Sequence, residues 1–220
     1  RSFFLSGAMW ERVIGQDRVK NILSSALRSD RLPHAYLFAG NEGVGKDAMA
    51  LELARVLHCE KRSEVEACSS QGSASPCGSC LKMHSLQHPD VKFITALPVG
   101  KGEKSDDRPL EKLTASEIEC IHEQYKAKAA NPYHRIAIPK ANIIKINSIR
   151  EVRSEAAMST LYHGKKVFIL SNADEMGEEA SNTLLKTLEE PPGDTLLVLT
   201  SSRHEALLRT IVSRCQPVRF

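Results

Sequence analysis

The chain has 220 residues, 41% of them hydrophobic and 26% charged, a balance that fits a globular protein and excludes a disordered or fibrous one. Its 30 basic and 27 acidic side chains leave a net charge of +3, too little to argue for nucleic-acid binding without clustering. No apolar run reaches bilayer length. Residues 1–10, with Phe3-Phe4-Leu5, lack the long apolar core of a secretory signal and are expected to be a leader or N-terminal extension.

Val19, Ile22, Leu23 and Ala26 recur at helical spacing and predict an amphipathic helix over 17–29, ended by Pro33. Ala35-Tyr36-Leu37-Phe38 reads as a short buried strand. The glycine-rich stretch Gly40 to Gly45 follows, and then a helix carrying Met49, Leu53, Val56 and Leu57 on one stripe. Residues 58–88 hold four cysteines among Ser, Gly and Pro and read as an irregular module. Val91 to Thr95 alternates as a strand. From 98 to 140 the composition turns polar and reads as an insertion, with a helix over 114–130 opened by a capping box at Thr114 and Glu117. Ser148 and Glu151 form a similar signature for a helix running to Ser159. Lys166 to Leu170 is a buried strand. Ala180, Leu184, Leu185 and Leu188 mark a helix stopped by Pro191-Pro192, and Thr195 to Thr200 is the last clear strand. Alternating strands and helices imply an α/β fold: a mostly parallel sheet flanked by helices.

Gly40-Asn41-Glu42-Gly43-Val44-Gly45-Lys46 matches the G-x-x-x-x-G-K of a phosphate loop, lying as it should between a strand and a helix. The glycines let backbone N–H groups converge on phosphate oxygens, and the lysine neutralises the outer phosphates. The next position should carry the hydroxyl that holds Mg²⁺, but it is Asp47, which repels phosphate at short range. A second acid is expected where a hydrophobic strand ends. There the register after Val167 to Leu170 puts Ser171 and Asn172, with Asp174 filling only the last place of the D-E-x-D pattern. Asp174 is read either as a displaced catalytic acid or as an ordinary loop acid. Both losses predict weak or absent ATP–Mg²⁺ binding and no hydrolysis.

Cys59, Cys68, Cys77 and Cys80 include a Cys-x-x-Cys pair that Pro76 and Gly78 favour as a tight turn. Four thiolates suit tetrahedral zinc in a structural role, since no open position is left for catalysis. Free thiols or a disulfide are the alternatives, and His58, His84 and His88 are nearby substitutes. Cys120 and Cys215 are read as non-ligands.

Several stretches together resemble the bacterial clamp-loader subunits of the DNA polymerase III holoenzyme, of the delta-prime type. They are Ile14-Gly15-Gln16, Arg31 to Phe38, the phosphate loop, the cysteine module, Leu184-Leu185-Lys186-Thr187-Leu188-Glu189-Glu190-Pro191-Pro192 and Ser213-Arg214-Cys215. They run in family order over nearly the whole chain. The resemblance implies a P-loop AAA+ domain over 11–220, related to the RecA-like fold and carrying the zinc module as an insert. It also implies a cytoplasmic place in a five-subunit ring that loads the sliding clamp onto primed DNA, within a complex that has DNA polymerase activity. Motor and delta-type subunits, the clamp and primer–template are the implied partners. Arg214 is then expected to act in trans as an arginine finger at a neighbour's ATP site. The family's lid and C-terminal oligomerisation domains do not follow Phe220, so the chain is expected to be an N-terminal part. The cysteine spacing is also longer than the family's, because of Ser69 to Ser75. A motor ATPase with unusual substitutions, or an unrelated P-loop NTPase, are the rival readings. Arg150, Arg153, Lys165 and Lys166 are candidate DNA contacts that look no different from solvated surface charge.

Overall fold

A computed structural model describes residues 9–62, 67–68, 75–162 and 164–220. Five strands form one sheet in the order β2-β3-β4-β1-β5: β1 Ala35–Ala39, β2 Val91–Ile94, β3 Lys166–Leu170, β4 Thr195–Ser201 and β5 Gln216–Arg219. Every pairing is parallel. The three central strands are buried along their whole length, while β2 at the edge alternates. That difference follows from position, because a central parallel strand is covered on both faces.

Strand periodicity sorts the core into two layers. Tyr36, Phe38, Val167, Ile169, Leu196 and Val198 face one side, against α1 (Asp17–Arg28), α2 (Lys46–His58) and the cysteine module. Their neighbours Leu37, Phe168, Leu170, Leu197 and Leu199 face the other side, against α5 (Ile146–Ala156), α6 (Glu178–Glu189) and the short α7 (Arg209–Val212). The remaining helices are α3 (Gly78–His84) inside the cysteine module and α4 (Ala115–Ala130) inside the polar insertion. Among the described residues, no helix is long and apolar enough to cross a membrane.

Several boundaries differ from those expected. Helix α1 ends at Arg28, before Pro33, because Asp30 turns into the left-handed region at φ 51°. Helix α5 starts at Ile146 with Lys145 as its N-cap, so Ser148 is a buried interior residue and not a cap. Strand β5 and helix α3 were not foreseen. The first contains Pro217, tolerated because β5 is an edge strand. The second is a two-turn helix within a Ser/Gly-rich stretch. Most of the expected leader lies outside the described residues, but its last members, Met9 and Trp10, are buried in the core, and the Trp10 indole donates to Ser24 Oγ at 2.9 Å.

The insertion has a small core of its own, Leu97, Leu113, Ile121 and Ile138. Helix α4 opens with the capping box foreseen at Thr114 and Glu117. At its base, the Lys145 ammonium meets Glu103 Oε1 at 2.7 Å and the carbonyls of Pro98 and Pro109 at 3.1 and 2.6 Å. Glu103 also accepts from Asn147 Nδ2 at 2.6 Å and from the Gly100 N–H at 2.7 Å. Burial acts to raise the Glu103 carboxyl, but these donors outweigh it and hold it below its ordinary 4.5. Removing one partner of a buried pair strands the other, so Lys145→Met is expected to cost about 3–5 kcal/mol in denaturant unfolding at pH 7. A depressed carboxyl contributes stability above its unfolded value and loses it on acidification. The gap between wild type and variant is therefore expected to shrink as pH falls below 4.5.

Candidate phosphate-loop site and four-cysteine centre

The carboxyl ends of β1, β3 and β4 open on one side of the sheet, where ligands bind in open α/β folds. The loop after β1 turns through Gly43 and Gly45, both left-handed at φ 77° and 93°, and delivers the chain into α2 at Lys46. The Lys46 ammonium folds back onto the carbonyls of Gly40 and Asn41 at 2.8 and 2.7 Å. Burial lowers its affinity for a proton, opposed by the charges of Asp47, Asp174 and Glu42. The Gln16 side chain donates to the Val44 carbonyl at 3.0 Å, which ties the Ile14-Gly15-Gln16 segment to this loop.

Asp47, in the first turn of α2, is engaged from three directions. Its carboxylate accepts from Ser171 Oγ at 2.8 Å, from Thr200 Oγ1 at 2.9 Å and from Lys128 Nζ at 2.8 Å. Ser171 follows β3 and Thr200 lies near the end of β4, so the sheet itself aims two hydroxyls at this carboxylate. Lys128 comes from the last turn of α4 in the insertion. Its side chain is 3% exposed, it also donates to the His134 carbonyl at 2.9 Å, and it lies 5.5 Å from the centre of the Phe93 ring. The insertion thus crosses the phosphate loop. A Cβ on Gly45 would meet Tyr133 Cε1 at 2.9 Å, the Tyr133 hydroxyl accepts from the Ile14 N–H at 2.7 Å, and Arg135 pairs with Glu42 at 3.1 Å. A cavity of about 320 Å³ remains between loop and insertion, lined in part by Lys46, Lys128, Arg135 and Asn172.

Asp174 is not among the partners of Asp47. It sits in a 3₁₀ turn, Ala173–Glu175, and accepts from Ser201 Oγ at 2.7 Å and Arg203 Nε at 3.0 Å. Arg214, just past α7, donates to Glu189 Oε1 at 2.7 Å and to the Thr210 carbonyl at 2.9 Å, with about a third of its side chain exposed. The Leu-Leu-Lys-Thr-Leu-Glu-Glu-Pro-Pro helix and the Ser-Arg-Cys triplet therefore touch. Sequence reasoning missed Lys128, Tyr133 and Thr200. The one available signal was electrostatic: an acid beside a phosphate loop needs a cation, but nothing in the sequence says which.

The second centre lies at the far end of α2. The sulfur atoms of Cys59, Cys68, Cys77 and Cys80 all lie within 4.8 Å of one another, a cluster that could hold a metal ion. Cys59 follows the last residue of α2, while Cys77 caps α3, whose first turn carries Cys80. Backbone N–H groups of Cys68, Cys77 and Cys80 donate to the sulfurs of Cys59, Cys68 and Cys77 at 3.3–3.4 Å, the outer-shell support that thiolate ligands need. Burial and the neighbouring Cys59 push the Cys80 thiol far up, so a thiolate there calls for a cation. His58, His84 and His88 are outside this group, and His58 stacks on His88 with ring centres 4.3 Å apart. Most of the Ser69 to Ser75 lengthening lies outside the described residues. Arg55 joins the centre to the rest of the domain: it donates to the Cys68 carbonyl at 2.5 Å and the Met9 carbonyl at 3.1 Å, and pairs with buried Glu52 at 2.9 Å.

A five-stranded parallel sheet with this loop after β1 defines a P-loop α/β domain. The fold is similar to that of the Thermotoga maritima RuvB Holliday junction branch migration motor, with a TM-score of 0.50 and 14% identity over all of this chain and 49% of that one. Residues 15–220 match the family described as DNA polymerase III, delta subunit, and the chain belongs to it. It is 32% identical to the Bacillus subtilis DNA polymerase III subunit delta', covering 93% of this chain and 47% of that protein. Identity to the Bacillus subtilis subunit tau is 28%, over 96% of this chain and 29% of that one. The chain thus spans about half the length of the delta' relative.

Proposed function

We propose that this chain is a non-hydrolysing subunit of a cytoplasmic clamp loader, helping a ring of AAA+ subunits place the sliding clamp on primed DNA. The observation that carries this reading is the state of Asp47. Its carboxylate stands where a metal-binding hydroxyl belongs, and an internal ammonium sits on it. Hydrolysis needs Mg²⁺ bridging the phosphates and an acid to organise the attacking water; here an ammonium already neutralises Asp47 and Ser171 replaces the acid. The chain's active contribution is Arg214, offered to the ATP site of a neighbouring motor subunit. The four cysteines hold zinc as a structural brace. Delta-type and motor subunits, the clamp and primer–template are its partners through the assembled ring.

The motor-subunit alternative would require Asp47 and Asp174 to serve as metal and water ligands, and these are instead bound to Lys128 and to Arg203. In a clamp loader reconstituted with this subunit, Lys46→Ala here is expected to leave ring ATPase and clamp loading within about twofold of wild type. That factor is less than a typical single hydrogen bond contributes. A collapse of ring ATPase on Lys46→Ala would show that this loop is a working site.

A further inference from the structure

In an ordinary phosphate loop the residue after the lysine supplies a hydroxyl, and the strand end supplies a carboxylate, to the same Mg²⁺. Here the two groups have changed places. The loop carries the carboxylate of Asp47, the end of β3 carries the hydroxyl of Ser171, and the two are 2.8 Å apart. Thr200 adds a second hydroxyl at 2.9 Å. Oxygen donors of the kind a hard divalent cation takes therefore still gather at Asp47, and the cation that meets its carboxylate is the Lys128 ammonium at 2.8 Å. Its place is fixed by built structure: the last turn of α4, the His134 carbonyl, and a chain anchored by Tyr133 on Ile14 and by Arg135 on Glu42.

The charges around the cavity do not cancel. Lys128 answers Asp47 and Arg135 answers Glu42, while among the described residues the Lys46 ammonium donates to two backbone carbonyls. One positive charge is left over, beside the turn whose N–H groups suit phosphate oxygens. We infer that Lys128 is the resident cation of this loop, taking the place of Mg²⁺, and that the cavity accepts a polyphosphate anion without any divalent metal. The ligand is either inorganic polyphosphate or the phosphate tail of a nucleotide, which offer the same oxygens. This inference rests on the reading of the loop as non-hydrolysing.

The test uses the purified chain, with inorganic pyrophosphate, ADP and ATP titrated calorimetrically in EDTA and again in Mg²⁺, and Mn²⁺ binding followed by electron paramagnetic resonance. The wild type is expected to bind at least one of the three anions in EDTA at least as tightly as in Mg²⁺, where the metal sequesters part of the free anion, and to hold no Mn²⁺ at this site. Pyrophosphate alone binding points to free polyphosphate; tighter ADP or ATP points to a nucleotide tail. Lys128→Met keeps the length of the side chain and removes the charge. It is expected to lose about tenfold in affinity in EDTA, some 1.4 kcal/mol, to gain a bound Mn²⁺, and to recover anion binding with the metal. Adding Asp47→Asn to that variant should abolish the Mn²⁺ signal. The inference is overturned if wild-type binding requires Mg²⁺, if the wild type holds Mn²⁺ that Asp47→Asn removes, or if none of the three anions binds. Should Lys128→Met fail to fold, the two wild-type comparisons still decide. ATP turnover would refute the non-hydrolysing reading, and is scored separately from binding in EDTA.

Discussion

Arg214→Ala is expected to lower ATP hydrolysis by the reconstituted ring by about a thousandfold at the neighbouring site, the lower end of what removing an arginine finger costs. The chain's own fold should hardly change. Among the described residues, Arg214 makes a partly exposed pair with Glu189 and a bond to the Thr210 carbonyl, and exposed pairs contribute about 0–1 kcal/mol. Two further variants separate a finger from a surface ion pair. Arg214→Lys keeps the charge but loses the planar fork that spans phosphate oxygens, so it should rescue little. Glu189→Gln removes the in-chain partner and should leave ring ATPase within a few-fold of wild type. Equal losses from Glu189→Gln and Arg214→Ala would reduce Arg214 to a structural residue. The readout is steady-state ATPase with clamp and primed DNA present, beside the melting temperature of each isolated variant.

The second large effect lies in the cysteine cluster. Zinc bound by four thiolates contributes about 10–16 kcal/mol in small free-standing domains, as much as the net stability of a typical domain, about 5–15 kcal/mol. Here the cluster joins the end of α2 to α3, and Arg55 carries its influence to Met9 and Glu52. Chelation, or Cys80→Ser, is expected to release zinc measurable by metal analysis and to lower the melting temperature by roughly 10 °C or more; about 3 kcal/mol is enough for that in a domain of this size. Cys120→Ser is the control, since Cys120 is partly exposed and outside the cluster. A preparation that contains no zinc and melts unchanged after chelation would show that the four cysteines hold no structural metal.

The sheet was largely legible because its central strands carry uninterrupted apolar runs, such as Val167 to Leu170 and Leu196 to Leu199. Motifs whose chemistry is local were legible too: Gly40 to Lys46 needs only its own glycines, and Cys77-x-x-Cys80 its own turn. Strand β5 escaped because four residues containing Pro217 show no period. The start of α5 escaped because Ser148-x-x-Glu151 imitates a cap, whereas the position is set by Lys145 anchoring on Glu103, some forty residues away. The same limit hid the most informative contact in the site. Asp47 announced a defect, but its remedy comes from Lys128 on a helix whose sequence reads as an ordinary polar insertion. Long-range pairing of charges leaves no trace in either partner's neighbourhood, and only the fold brings them within 2.8 Å.

Single-turnover ATP hydrolysis with the purified chain in Mg²⁺, beside Lys46→Ala and Asp47→Thr, asks whether the phosphate loop has outlived its hydrolytic activity. No turnover is expected in the wild type, no change with Lys46→Ala and no recovery with Asp47→Thr alone, because Ser171 and Asn172 still supply no acid. Turnover by the wild type that disappears with Lys46→Ala would contradict this expectation and make this chain a motor.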